Sequence, residues 1–142
     1  MTASAVVVID ASVAVKWFAP EIFTEQALAV PKLYSQLIAP DLIVPEVSSA
    51  LLKKVRRREM EATQVHPAIE ILTDRILTRP TLGMEHQAFD RADAYGCSLY
   101  DAIYAGMAIE EGCQLVTADE RLYNALRGAY PETILWLGDV QV

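Results

Sequence analysis

At 142 residues the chain has room for one domain with one buried core, and not for two. A hydrophobic fraction of 53% with 22% charged residues excludes a disordered chain, and the apolar runs Ala5–Ile9 and Ala102–Ile109 are far too short to span a bilayer. The net charge of −7 argues against holding nucleic acid by a broad basic surface, yet it leaves room for carboxylates clustered around a cation and for a compact basic patch.

The first element is Val6-Val7-Val8-Ile9, a β-branched run of the kind found in strands buried on both faces. Ala11 to Phe18 reads as a helix stopped by Pro20, and Thr24 to Ser35 as a second helix. Leu37-Ile38-Ala39 is a candidate strand ended by Pro40. Pro45 is expected to open the next helix, where its missing N–H costs nothing; Val47, Ala50, Leu51 and Val55 follow helical spacing, and Lys53, Lys54, Arg56, Arg57 and Arg58 close it. Residues 61–77 carry Val65, Ile69, Leu72 and Ile76 along one helical face. Thr81-Leu82 is a candidate edge strand. Glu85 to Tyr95 reads as a helix ending at Gly96, and Asp101 to Glu111 as a helix so apolar that it must be central. Gln114 to Thr117, Glu120 to Arg127 and Ile134 to Leu137 complete the chain as strand, helix and strand. Short apolar strands alternating with helices imply a parallel sheet covered on both faces, with the functional crevice beyond the carboxyl ends of the strands.

Cys97 and Cys113 lack metal-ligand spacing and are too few for a disulfide framework, so reduced, packed thiols are expected. His66 and His86 fall on polar helical surfaces, which disfavours chemistry built on a histidine base. No Lys or Arg precedes Asp10, and Asp10 itself interrupts the first apolar run; the expectation is a cytoplasmic protein without a secretory signal.

Four acidic residues stand at helix beginnings: Asp10 after the first strand, Glu46 after Pro45, Asp101 at the start of the apolar helix, and Asp119 after the strand ending at Thr117. Each alone has a simple structural reading, because carboxylates suit helix N-termini through capping and the macrodipole. Ser98-Leu99-Tyr100-Asp101 and Thr117-Ala118-Asp119-Glu120 both fit capping boxes. Their joint placement is harder to dismiss. Two like charges about 4 Å apart cost on the order of 4 kcal/mol at an effective dielectric near 20, a cost that a divalent cation removes. Oxygen-only ligands point to Mg²⁺ or Mn²⁺ rather than zinc, and such sites commonly activate water against phosphate esters.

At these residues the sequence resembles the PIN-domain family, and within it the toxins of VapBC-type toxin–antitoxin pairs. The matching stretches are Val-Val-Val-Ile-Asp10-Ala-Ser12, Pro40-Asp-Leu-Ile-Val-Pro-Glu46-Val-Ser-Ser-Ala-Leu, Leu99-Tyr-Asp101-Ala-Ile-Tyr-Ala and Leu115-Val-Thr117-Ala-Asp119-Glu-Arg121-Leu. Their order and spacing extend the resemblance over essentially the whole chain, as a single PIN domain spanning residues 1–142. It implies a three-layer α/β/α fold with a central sheet of four to five parallel strands, and an endoribonuclease dependent on Mg²⁺ or Mn²⁺. Asp10, Glu46, Asp101 and Asp119 would form its catalytic, metal-binding cluster. Ser12 and Thr117 would support that cluster by hydrogen bonds to a ligand, water or carboxylate, or would simply cap helices; Arg121 would contact phosphate or remain solvated. The resemblance also implies an RNA substrate, a homodimer and a VapB-like antitoxin covering the active site.

Trp17 and Phe18 are candidates for an apolar groove on that surface, set against plain core packing. The basic run at 53–58 is either a solvated helix end or a contact to phosphates distal to the scissile one. A receiver domain would need an acidic pair after the first strand, a dehalogenase-like phosphatase a second Asp where Ser12 stands, and a nucleotide-binding module a glycine-rich turn after strand one. The chain meets none of these requirements. The nearer alternatives keep the same fold: a catalytically silent binding protein, or a housekeeping RNA-processing nuclease.

Overall fold

The computed structural model describes residues 5–142. Five strands, β1 (Val6–Ile9), β2 (Gln36–Pro40), β3 (Ile76–Arg79), β4 (Gln114–Thr117) and β5 (Ile134–Trp136), form one sheet in the order β3-β2-β1-β4-β5. Every pairing is parallel. Val7, Val8 and Ile9 are all fully buried although they alternate between faces, so the sheet is covered on both sides. The covering helices are α1 (Ala11–Ala14), α2 (Thr24–Leu33), α3 (Ile43–Arg56), α4 (Val65–Arg75), α5 (Glu85–Tyr95), α6 (Leu99–Glu111) and α7 (Glu120–Leu126).

From the central β1 the chain first builds outward through β2 to β3, then crosses back over β1 to lay down β4 and β5. Right-handed crossovers running in opposite directions place their helices on opposite faces. Helix α3 packs on α1 and α4, while α6 packs on α5 and lies across β1, β2 and β4. The reversal of direction makes the β1/β4 pair the switch point, where the connections leaving the strands diverge and open a crevice at their carboxyl ends. The register Ile9↔Val116 brings Asp10 and Thr117 to the same level of that edge.

The edge strand differs from the sequence expectation. Residues 76–79 form β3, paired Leu37↔Ile76 through Pro40↔Arg79, and are not the last turn of the preceding helix. Ile76 continues the helical apolar spacing of Leu72, but its backbone is already extended, and α4 passes into β3 without a loop. Thr81-Leu82 is a turn rather than a strand: the Asp41 carboxylate accepts hydrogen bonds from the Thr81 hydroxyl at 2.6 Å and its N–H at 3.1 Å. Helix α3 starts at Ile43, two residues before Pro45; Pro45 still lies among the first residues, whose N–H groups have no intrahelical acceptor. Helix α6 starts at Leu99, capped by the Ser98 hydroxyl, which accepts from the Asp101 N–H. The first helix is a single α-turn that tightens into a 3-10 turn over Val15–Trp17.

Trp17 is committed to the interior architecture. Pro31 sits inside α2 and offers no N–H to the Ala27 carbonyl four residues earlier. The Trp17 indole fills that vacancy, its Nε1 donating to the Ala27 oxygen at 2.8 Å. Phe18 meets Trp17 edge-on with ring centres 6.2 Å apart, and both rings pack against the core. The helix-breaking Pro31 and the Trp17 indole are therefore one device. Trp17→Phe is expected to lower stability by about 1 kcal/mol beyond its packing loss, the net worth of one hydrogen bond. In a Pro31→Ala background, where residue 31 regains its N–H, that extra loss should shrink; a double-mutant cycle by urea unfolding measures the coupling.

Candidate active site at the carboxyl edge of the sheet

Asp10 is the first residue beyond β1 and the N-cap of α1, where its side chain accepts from the Val13 N–H at 3.3 Å. Only 4% of it is exposed. Ser12 Oγ donates to its Oδ1 and Thr117 Oγ1 donates to its Oδ2, each at 2.5 Å. Both hydroxyls also act as acceptors: Ser12 from the Ala118 N–H at 2.9 Å, Thr117 from the Asp119 N–H at 3.0 Å. The exits of β1 and β4 are thus laced together around one carboxylate. Thr117 serves this lacing rather than capping α7. Asp119 itself is the N-cap of that helix, its Oδ1 accepting from Arg121 N–H at 2.9 Å and Leu122 N–H at 3.4 Å.

The other acids face an adjoining cleft of about 420 Å³, with Glu46, Asp101 and Asp119 on its wall beside Arg121, Tyr100 and Ser98. Asp10 does not line this cleft. The exposed Arg121 sits at its side, and its charge draws the Asp101 carboxyl toward ionisation. Glu46, from the first turn of α3, accepts a 2.5 Å hydrogen bond from the Tyr104 hydroxyl. Tyr104 is 2% exposed and lies on α6 one turn after Asp101. Sequence reasoning overlooked Tyr104 because it sits in an aliphatic run. Its signal was the hydroxyl itself, since a buried tyrosine needs a polar partner, and its spacing from Asp101 directs it toward the same end of the helix.

Burial, reinforced by neighbouring negative charge, governs the electrostatics of the site. Burial is the main cause at Asp10, whose carboxyl is pushed up to about 7 from 3.8; the Ser12 and Thr117 hydroxyls oppose the rise, and the Asp119 charge adds to it. Glu46 is raised by burial and by the Asp101 and Asp119 charges, against the Tyr104 hydrogen bond. Asp101 is raised by burial and by Asp119. Burial and the Glu46 charge together hold Tyr104 protonated, so it remains a donor. Among the described residues, no three Asp, Glu, His or Cys side chains stand close enough to form a ready metal cage. In donor chemistry the residues fit a hard divalent cation, since all offer carboxylate oxygens. At Asp10, Glu46 and Asp101 the burial and neighbouring negative charge that raise proton affinity are costs a bound cation offsets.

The remaining sequence candidates lie elsewhere. His66 and His86 are exposed helical residues outside the cleft. Both cysteines are free and partly buried; Cys97 touches the cleft wall, where burial raises its thiol.

Asp10 gives a pH signature. Folded, it keeps a proton up to about pH 7, while the unfolded residue loses it near 3.8, so between those values the folded state binds more protons. The stability this confers is complete below about pH 4 and is lost as the pH rises through 7. In EDTA, Asp10→Asn should melt above the wild type at pH 8 and lose that advantage near pH 4. An equal difference at both values would show that Asp10 is not buried as a strained carboxylate.

A model of the PIN domain matches residues 7–127. The chain is 29% identical over 131 residues to "Ribonuclease VapC9" of Mycobacterium tuberculosis, covering 91% of this chain and 98% of that protein. It is 31% identical to "Ribonuclease VapC3" of Pyrobaculum aerophilum, covering 81% of this chain and 90% of the relative. Among solved structures, a Pyrobaculum aerophilum protein superposes with a TM-score of 0.69 at 18% identity, over 95% of this chain and 92% of that one. The Mycobacterium tuberculosis toxin VapC20, described as cleaving the sarcin–ricin loop, superposes at 0.64 with 16% identity, over 84% and 95% of the two chains. The VapBC2 complex of Rickettsia felis, bound to a DNA fragment of its promoter, superposes at 0.63 with 12% identity, over 92% and 98%. The family model spans most of the sequence, and the relatives align over nearly their full lengths: the chain belongs to the PIN-domain family, among its VapC-type members.

Proposed function

We propose that this protein is an endoribonuclease dependent on Mg²⁺ or Mn²⁺, the toxin of a type II toxin–antitoxin pair. The reading is supported by Glu46, Asp101 and Asp119 on the wall of one cleft, with the buried Asp10 near enough to feel the Asp119 charge, and by the burial and neighbouring charge that raise Asp10, Glu46 and Asp101. The names of the VapC ribonucleases that this chain resembles support RNA as the substrate.

The four carboxylates would hold the cation. When bound, it supplies an activated water and neutralises the charge developing on the phosphodiester. The chain's own part is positioning. Ser12 and Thr117 fix both oxygens of Asp10, leaving it no freedom to rotate. The buried Tyr104 hydroxyl fixes one oxygen of Glu46. Arg121 stands at the cleft wall as a phosphate contact.

The 142 residues act in this reading as one catalytic domain, in the cytoplasm, as a homodimer restrained by a VapB-like antitoxin. The paired VapBC2 assembly from Rickettsia felis supports such a partner. No described helix is long and apolar enough to cross a membrane.

Purified protein, freed of any antitoxin, is expected to cut structured RNAs with Mg²⁺ or Mn²⁺, to stop in EDTA, and to lose activity as Asp10→Asn. Intact RNA throughout, with no Mn²⁺ binding by the folded protein, would favour a silent binding protein instead. Tyr104→Phe should remain folded and lower kcat roughly tenfold, the scale of one hydrogen bond to a charged group. Because the Tyr104 bond holds Glu46 down, its loss should also move the acid limb of the pH–rate profile upward; an unmoved limb would leave Tyr104 only a packing role.

A further inference from the structure

Glu46 also forms one end of a second groove, about 370 Å³, running between α1 and α3. Ala11, Ser49 and Ala50 keep part of its wall low, Glu21 lines it with its charge taken up by lysines, and Lys53, Lys54 and Arg57 stand toward its other end. Glu46, Ala50, Lys53 and Arg57 share one face of α3. At 1.5 Å per residue, Lys53 lies about 10 Å and Arg57 about 16 Å from Glu46 along the helix axis.

These cations are not equivalent. Lys54 Nζ lies 2.6 Å from Glu21 Oε2 and is 12% exposed. Lys16 approaches the other oxygen of Glu21 at 3.1 Å. Burial would raise the Glu21 carboxyl, but the two ammonium groups outweigh it and hold it below its usual range. Lys54 therefore ties α3 to the segment after α1. Lys53 and Arg57 are exposed, and among the described residues neither has an acidic partner within 4.0 Å. In a chain of net charge −7, five of the twelve Lys and Arg residues fall between 53 and 58. Positive charge is concentrated on the helix whose other end supplies an acid to the cleft.

We propose that this groove is the track for the RNA backbone flanking the cut, with Lys53 and Arg57 gripping phosphates beyond the scissile one and Lys54 serving the fold. The proposal rests on the nuclease reading and gives it a direction: substrate runs from the acid cleft along α3 toward Arg57. A continuous polyanion suits both ends of such a groove. One phosphate meets the cation held by the carboxylates, and later ones meet fixed positive charge. The low wall between them leaves room for a strand.

The test compares wild type with Lys53→Gln/Arg57→Gln on two cleavable single-stranded RNAs, one too short to reach Lys53 from the cut and one long enough to pass Arg57. The double variant should raise KM several-fold for the long RNA, leave kcat unchanged, and match the wild type on the short one. In binding assays on Asp10→Asn protein, the two substitutions should flatten the dependence of log affinity on log salt by about 1.4, at roughly 0.7 per phosphate contact on a single strand. Lys54→Gln should instead lower the melting temperature and keep the slope. A wild type that cuts both RNAs, with a double variant whose KM and salt slope are unchanged, would overturn the track and leave the nuclease reading standing. A wild type that cuts neither would remove both. Equal competition by an acidic peptide of matched charge would assign the groove to a protein partner and overturn the RNA assignment.

Discussion

Asp10 places a carboxylate where water scarcely reaches, and the carboxyl edge of the sheet is arranged to keep it there. An unpaired charge in such a position would be strongly unfavourable. Among the described residues no Lys or Arg pairs with it; two hydroxyls and a backbone N–H stand in for water, and burial still lets the carboxyl keep a proton up to about pH 7. Those hydroxyls come from the turn after β1 and from the last residue of β4, so the solvation of Asp10 depends on the β1/β4 register, and the register is reinforced in return. Shifting the pairing by one residue would turn the Thr117 side chain to the other face of the sheet and strand the Asp10 oxygen. The same lacing delivers the Asp119 N–H to Thr117, which sets the start of α7.

The rest of the site extends from that knot. Helix α6 crosses the sheet and carries two polar positions one turn apart: Asp101 on the cleft wall, and Tyr104 hydrogen-bonded to Glu46. Because the middle of α6 is buried, from Ala102 to Ala105 and again at Met107 and Ala108, its axial position is set by core packing rather than by the acids. The carboxylates are thus held near one another by forces indifferent to their repulsion. This is how a fold keeps strained electrostatics in reserve for binding. The raised proton affinities of Asp10, Glu46 and Asp101 are the visible sign of that reserve.

Much of this architecture could be read from residue order. β1, β2, β4 and β5 announce themselves as short apolar runs, because strands buried on both faces need little else. The positions of Asp10 and Asp119 were legible for a related reason: in a parallel sheet, a residue just after a strand has only one edge at which to be. Glu46 and Asp101 instead lie in helices and reach the same cleft only through the packing of α3 and α6. β3 escaped because Leu72 and Ile76 maintain helical spacing across a boundary marked by neither glycine nor proline. The true punctuation, Pro80, follows the strand instead of preceding it. The double role of Trp17 was hidden because Pro31 reads as a helix breaker, and only the fold reveals the indole that satisfies the vacated carbonyl. Nor could spacing separate Lys54 from its neighbours, since Glu21 is 33 positions away and reaches it only once α1 and α3 have docked.

The pairing of Thr117 with Asp10 joins residues 107 positions apart. Contacts that distant in sequence close late, because the intervening chain must be brought together first. Made from its N-terminus, the polypeptide would contain β1, β2 and β3 well before β4 exists, and Asp10 would wait without its second hydroxyl or its neighbour Asp119. The cleft therefore cannot close around Asp10 until β4 and Asp119 have been made and brought back to β1. Its assembly is tied to the longest-range pairing in the sheet rather than to the strand that carries its first acid.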